Sequence, residues 1–283
     1  MKITITGDNH LHFLRRPSDA VAHFMEQIES HTPDIILNLG DIGEGQQGII
    51  PAYSILLKNS LFILGNHDLW RIGRSTPPDA MRNTLKTLPQ EVGTPLEKSW
   101  TDKTTIVKIK DHAFVGTIGF PDFAHPALET FSKDYWDRNP ATNDPRFMDL
   151  KKGWLEYTIP LQQAFIVRLT KAFSKNVKHV VIATHYPTFE EQCFLSMDPS
   201  EKTIWPFFFN WTLGQKIIEL AKQNPDKTIW CFAAHSHEYC SGQLSMVAPN
   251  IYTYGFVTTY GNLEAQYFDT SLNLNEQRRN LAP

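Results

Sequence analysis

Six short apolar runs, each breaking off into polar residues, limit what this chain can fold into. They are KITITGD (residues 2–8), DIILNLGD (34–41), LFILGNHD (61–68), HAFVGTIGF (112–120), HVVIATHYP (179–187) and TIWCFAAHSH (228–237). Each is strand-length and rich in Ile, Val, Thr and Phe, and nearly continuous where a half-exposed strand would alternate. That pattern belongs to strands covered on both faces, as in an α/β sheet.

Helical periodicity fills the gaps. Val21, Phe24, Met25 and Ile28 recur at helical spacing, with Ser18 as the expected N-cap and Pro33 beyond the end. Leu161, Phe165, Leu169 and Phe173 form a second stripe, with Pro160 suited to a first turn. Leu213, Ile217 and Leu220 form a third, closed by Asn224-Pro225. The order β-α-β-β-(α)-β-α-β-α-β predicts a layered α/β fold in one domain spanning residues 1–283. Residues 121–159 and 186–211 interrupt the rhythm with Pro, aromatics and charges, and are expected as insertions forming a lid. The Tyr- and Thr-rich segment 245–269 reads as β-hairpins, and the polar residues 272–283 as a loosely held end.

The net charge of −3 exerts no general pull on nucleic acid or acidic membranes. Cys193, Cys231 and Cys240 are too few for a disulfide framework, so reduced thiols and a cytoplasmic location are expected. No run approaches the roughly 18 apolar residues of a membrane span, and MKITITGDNH has no signal-peptide character.

What sits where the apolar runs stop carries the chemistry. The first ends in Asp8 and His10, the second in Asp41 with Glu44 beyond it, and the third in Asn66, His67 and Asp68. The fifth ends in His185 and the sixth in His235 and His237. Carboxyl ends of strands in open α/β sheets line ligand crevices, so these groups can converge despite their separation. Singly each is weak; a Gly-Asp after a strand is usually a turn, and a lone His is usually structural. As a set they suit a pair of divalent metals. Carboxylate, imidazole and amide donors favour Mn²⁺, Fe or Zn²⁺ over Ca²⁺ or Mg²⁺, and no thiolate belongs to the set.

Asp8-x-His10, Gly40-Asp41-x-x-Glu44, Gly65-Asn66-His67-Asp68, His185-x-Pro187 and His235-x-His237 resemble, in order, the motifs of the calcineurin-like metallophosphoesterases. The resemblance implies a four-layer α/β/β/α sandwich of two mixed sheets. It implies one metal held by Asp8, His10, Asp41 and His237, and a second by Asp41, Asn66, His185 and His235. It further implies hydrolysis of a phosphate mono- or diester by a hydroxide bridging the two metals, with His67 assisting the leaving group. Glu44 falls where some members place a carboxylate that orients this histidine. Asn66, His67 and Tyr186 are the expected substrate contacts. The last motif opens here with Ala234 where the family has Gly, and the segment after Asp41 lacks the Arg of protein serine/threonine phosphatases.

Rival readings are a non-catalytic scaffold and a nuclease of the double-strand-break repair type. Scaffolds lose ligands or the His of GNHD, and every one is present here. The nuclease lacks a basic groove-forming surface, so nucleic acid is not the favoured partner and a small-molecule phosphoester is. His12 reads as a surface residue, and Asp68 as making a hydrogen bond that steadies either its own turn or a neighbouring ligand.

Overall fold

The computed structural model describes residues 1–43, 50–69, 93–96, 105–122, 124, 154–192, 209–239 and 242–281. Two mixed sheets are built from them. The first has the order β11-β1-β2-β3-β4, with β1 (Lys2–Thr6), β2 (Ile35–Asn38), β3 (Ser60–Phe62) and β4 (Gly93–Pro95) parallel and β11 (Gln266–Asp269) antiparallel to β1. The second has the order β5-β6-β7-β8-β10-β9. Its β6 (His112–Thr117), β7 (His179–Thr184), β8 (Thr228–Ala233) and β10 (Ile251–Gly255) are parallel. The edges, β5 (Val107–Ile109) and β9 (Ser245–Ala248), are antiparallel to their neighbours.

Side-chain alternation explains the continuous apolar runs. Along β7, Val181 and Ala183 enter the layer between the sheets, while Val180 and Ile182 face the helices outside. In β8, Trp230 and Phe232 face inward and Ile229 and Cys231 outward. The other sheet repeats this, with Leu37 and Leu61 inward and Ile36 and Phe62 against α1 (Pro17–Ser30) and α2 (Ile50–Leu57). The second sheet's outer face is covered by α4 (Trp154–Phe173) and α5 (Trp211–Gln223). Helix, sheet, sheet, helix is the four-layer sandwich expected from the resemblance.

Several local expectations are corrected. Helix α1 begins at Pro17, with Arg16 at the cap, so Ser18 lies inside the first turn and does not cap it. Helix α4 begins at Trp154, which makes the end of the expected 121–159 insertion helical and puts Pro160 inside the helix. Lacking an N–H, Pro160 omits one helical hydrogen bond there. Asn210 supplies the unforeseen cap of α5, accepting from the Leu213 N–H at 3.0 Å. Most of the two expected insertions lies outside the described residues, and the lid expectation with them.

The C-terminal segment is not a set of hairpins. Strands β9 and β10 form one, but β11 crosses to the other sheet. Nor is the end loosely held: residues Leu274–Leu281 form α6, and buried Gln277 ties it down. The Gln277 side chain accepts from the Asp269 N–H at 2.9 Å and donates to the Tyr267 carbonyl at 3.1 Å. Polar composition misled because the Gln277 amide satisfies the β11 backbone and does not face water.

Candidate metal centre

Backbone pairing continues past the strand ends and draws the loops together. Leu39 donates to the Thr6 carbonyl at 2.8 Å, Asp8 to Gly40 at 2.9 Å and His10 to Asp41 at 2.9 Å. In the other sheet Ala234 donates to the His185 carbonyl at 3.0 Å. Buried amides brace the first crossing: Asn38 Nδ2 donates to Asn9 Oδ1 at 2.8 Å, and Asn38 Oδ1 accepts from Gly40 N–H at 2.9 Å.

Asp8, His10, Asp41, His235 and His237 all adopt left-handed backbone, with φ of 46°, 43°, 51°, 70° and 46°. Asp and His tolerate this region better than most residues, yet each such turn costs about 1–3 kcal/mol when the surroundings must enforce it. The strain turns the chain sharply so that side chains leave the strand direction. It also sends His235 and His237, two residues apart, into different groups. Ala234 is not among the positive-φ residues, so its replacement of the family's Gly needs no strained backbone.

Glycine is required where the backbones meet. A Cβ on Gly65 would collide with the carboxylate and backbone N of Asp41, and one on Gly40, whose φ is +92°, would strike Leu64 and Gly65. This close approach sets the Asp41 carboxylate against the turn that carries Asn66 and His67.

The buried donors fall into two groups with Asp41 common to both. Asp8, His10, Asp41 and His237 place one ligand atom each within 4.8 Å of one another. His10 Nε2 and His237 Nε2 are 3.2 Å apart. Asp41, His185 and His235 form the second group. Asn66 joins it, its Oδ1 lying 2.8 Å from His185 Nε2 and 3.1 Å from His235 Nδ1. His185 Nδ1 is 2.9 Å from the Leu39 carbonyl, which fixes the proton there and turns Nε2 toward the group. Asp41 Oδ1 accepts the His67 N–H at 2.8 Å, while Oδ2 lies 3.3 Å from His185 Nε2 and 3.8 Å from His10 Nε2. Asp8 Oδ1 and Asp41 Oδ2 are buried without a hydrogen-bond donor of good geometry. A cluster of carboxylate oxygens and imidazole nitrogens, two of those oxygens lacking a well-placed hydrogen-bond donor, fits divalent cations, and both groups are candidate metal sites.

His67 stands beside the first group. Its ring meets His10 edge-on at 4.5 Å, its Nε2 is 3.9 Å from Asp41 Oδ2, and its side chain keeps 11% exposure. The apolar run LFIL does not carry it as a strand, since β3 ends at Phe62 and Asn66–Leu69 form one helical turn, α3. Asp68 braces this turn. Its Oδ2 accepts the Gly65 N–H at 2.8 Å, and its Oδ1 accepts the Gly43 N–H at 3.0 Å and the Tyr53 hydroxyl at 2.8 Å.

Burial dominates the ionisation of these groups. It pushes the Asp8 carboxyl up to about 6 against the pull of His237 and His185, and His10 down to about 2, so that His10 is neutral. Burial, helped by the nearby Asp41 charge, lifts Asp68 to about 7. Asp41 and His185 resist it as a pair: burial opposes both charges, but their mutual attraction holds Asp41 well below the carboxylate range and raises His185 to about 9.

Tyr186, expected to meet the substrate, is instead fully buried, with its ring 3.9 Å from that of His235. The apolar core behind the histidine claims it. Glu44 lies outside the described residues. His12, read as a surface residue, joins His10 and His67 in a third group of converging nitrogens and stacks on His67 at 6.0 Å. Nothing in the sequence marks Tyr260, which lies in a Tyr-Gly turn some 20 residues past the last motif. Its ring stacks on His237 at 4.2 Å and meets His10 at 4.5 Å.

The calcineurin-like phosphoesterase family profile matches residues 1–239, and the chain belongs to that family. It is a hydrolase of phosphate esters. No curated protein matches the chain. Among solved structures it is similar to a dimetal phosphatase from Danio rerio, at 13% identity and a TM-score of 0.49 over 91% of this chain and 87% of that one. A 5'-nucleotidase from Candida albicans matches at 14% identity and a TM-score of 0.46 over 98% of this chain and 50% of that one. The NAD nucleotidase NadN of Haemophilus influenzae matches at 10% identity and 0.42, over 95% and 47%. The chain spans about half the length of the latter two.

Proposed function

We propose that the two donor groups hold two divalent metal ions, Mn²⁺, Fe or Zn²⁺, and hydrolyse a small-molecule phosphate mono- or diester. In this reading Asp8, His10, Asp41 and His237 hold one ion, Asp41, Asn66, His185 and His235 the other, and Asp41 bridges them. The observation that carries it is the division of labour at Asp41: Oδ1 is tied to the His67 N–H at 2.8 Å, while Oδ2 faces an imidazole of each group at 3.3 and 3.8 Å. Held there, the ions would supply Lewis acidity, lowering the pKa of a water and offsetting phosphoryl charge.

The chain's own groups do the rest. Asp41 and the Leu39 carbonyl orient His185, so that its Nε2 rather than Nδ1 is presented. His67, anchored through its backbone and partly exposed, gives its proton to the leaving oxygen. The net charge of −3 supports a small substrate over a polyanion.

The test is hydrolysis of p-nitrophenyl phosphate and bis(p-nitrophenyl) phosphate with added Mn²⁺, with metal content measured on the same samples. Activity abolished by a chelator is expected, and full activity in metal-free protein refutes the reading. His67→Ala should keep both ions and lose turnover by about 10²–10⁴-fold. A parallel fall in metal content would make His67 a ligand instead.

A further inference from the structure

Exposed apolar side chains scattered singly mean little, but ones that cluster beside a polar site can mark where a ligand binds. Phe13 is 58% exposed and Tyr260 56%, although both reach the rim of the first donor group. Phe13 ends the single helical turn Leu11–Phe13 that follows β1, and Tyr260 lies in the loop after β10, so distant parts of the chain bring them together. Their rings meet edge-to-face at 5.4 Å. Phe13 lies 6.1 Å from His10, and Tyr260 stacks on His237 at an interplanar angle of 25° and stands 6.4 Å from His67.

Tyr260 is held in place from its own backbone. Asn262 donates to the Thr259 carbonyl at 3.1 Å, closing the turn, and Gly261 takes a φ of +79° beneath Phe13. The two rings are therefore positioned without being buried. A phosphoryl group that meets His67 and the first donor group would have these rings within reach of its organic substituent.

We propose that Phe13 and Tyr260 form an aryl-binding subsite, and that the natural substrate is a phosphoester whose organic group bears a planar aromatic ring, such as a phenyl group or a nucleobase. The proposal rests on the phosphoesterase site described above. Stacking on Tyr260 and edge contact with Phe13 discriminate a flat π-face from a saturated ring of similar size.

Binding of non-hydrolysable phosphonates tests this separately from turnover. Calorimetric titration of the Mn²⁺-loaded protein with 2-phenylethylphosphonate and 2-cyclohexylethylphosphonate compares ligands of equal acidity that differ only in the ring. The phenyl compound should bind about 2–12-fold more tightly. Phe13→Ala and Tyr260→Leu should remove that preference, and Tyr260→Phe should keep it. Metal content of each variant, measured alongside, shows whether Tyr260→Leu still supports His237.

Equal binding of the two phosphonates, no binding of either, or an unchanged preference in both Phe13→Ala and Tyr260→Leu overturns the subsite. Aryl-selective binding without Mn²⁺-dependent hydrolysis of any ester would leave the subsite standing and refute the phosphoesterase reading instead.

Discussion

Removing the Asp68 carboxylate should unfasten the turn that carries Asn66 and His67. Its oxygens accept from the backbone N–H groups of Gly65 and Gly43, at 2.8 and 3.0 Å, and from the Tyr53 hydroxyl at 2.8 Å. In Asp68→Ala the hydroxyl keeps a partner, because Tyr53 also bonds the Gly43 carbonyl at 2.8 Å. The two backbone donors lose the acceptor that Asp68 provided. Each stranded buried donor costs about 1–3 kcal/mol, so the pair costs about 2–6 kcal/mol. At about 2–4 °C per kcal/mol for a chain of this size, the melting temperature should fall by about 4–24 °C. Asp68→Asn keeps one acceptor but turns an NH₂ toward the Gly65 N–H, so its loss should be about half. Thermal melts in EDTA measure this without the stabilisation that bound ions add. Reconstituted Asp68→Ala should also bind fewer than two Mn²⁺ per chain, since Asn66 follows the released Gly65. Melting within about 1 °C of the wild type, with full metal content, would refute the brace.

Gly65→Ala tests the close approach of the two loops. The added methyl collides with the Asp41 carboxylate, so it must displace the oxygen that accepts the His67 N–H. A displacement of about 1 Å at the reacting groups lowers turnover about 10²-fold, and unaltered kinetics would show that the loops separate freely. Metal uptake should strengthen with pH. Binding requires neutral His185 and ionised Asp8, whose values in the metal-free site are about 9 and about 6. Between those values one proton is displaced and the Kd should fall about tenfold per pH unit; below them two are displaced and the slope steepens. Competition with a fluorescent chelator from pH 5 to 9 measures this, and a flat profile would mean that His185 carries no proton in the metal-free site.

Asp8, His10, Asp41, Asn66, His185, His235 and His237 were legible as one candidate set because each closes an apolar run, and α/β sheets gather such ends. The alternation of core residues was legible as well: runs such as HVVIAT, apolar at every position, require cover on both faces, which the helices and the opposite sheet supply. What misled was polar composition read in isolation. Gln277 anchors a helix, and Pro160 sits inside one, because tertiary packing overrides local preference. The sequence left open whether Asp68 steadies its own turn or a neighbouring ligand; its three donors come from residues 43, 53 and 65, and only the fold brings them within reach.

The sequence by itself determined the layered α/β architecture and singled out the candidate donor side chains, since both follow from residue type and from where the apolar runs stop. Tertiary structure decided how those donors divide. The left-handed turns at His235 and His237 send neighbouring imidazoles to different groups, and the Gly65 approach presents one oxygen of Asp41 to both. It also decided that Phe13 and Tyr260, near opposite ends of the chain, meet at the rim with ring centroids 5.4 Å apart. Periodicity reports which face a residue takes within its own element; only the packing of separate loops determines which side chains share a site.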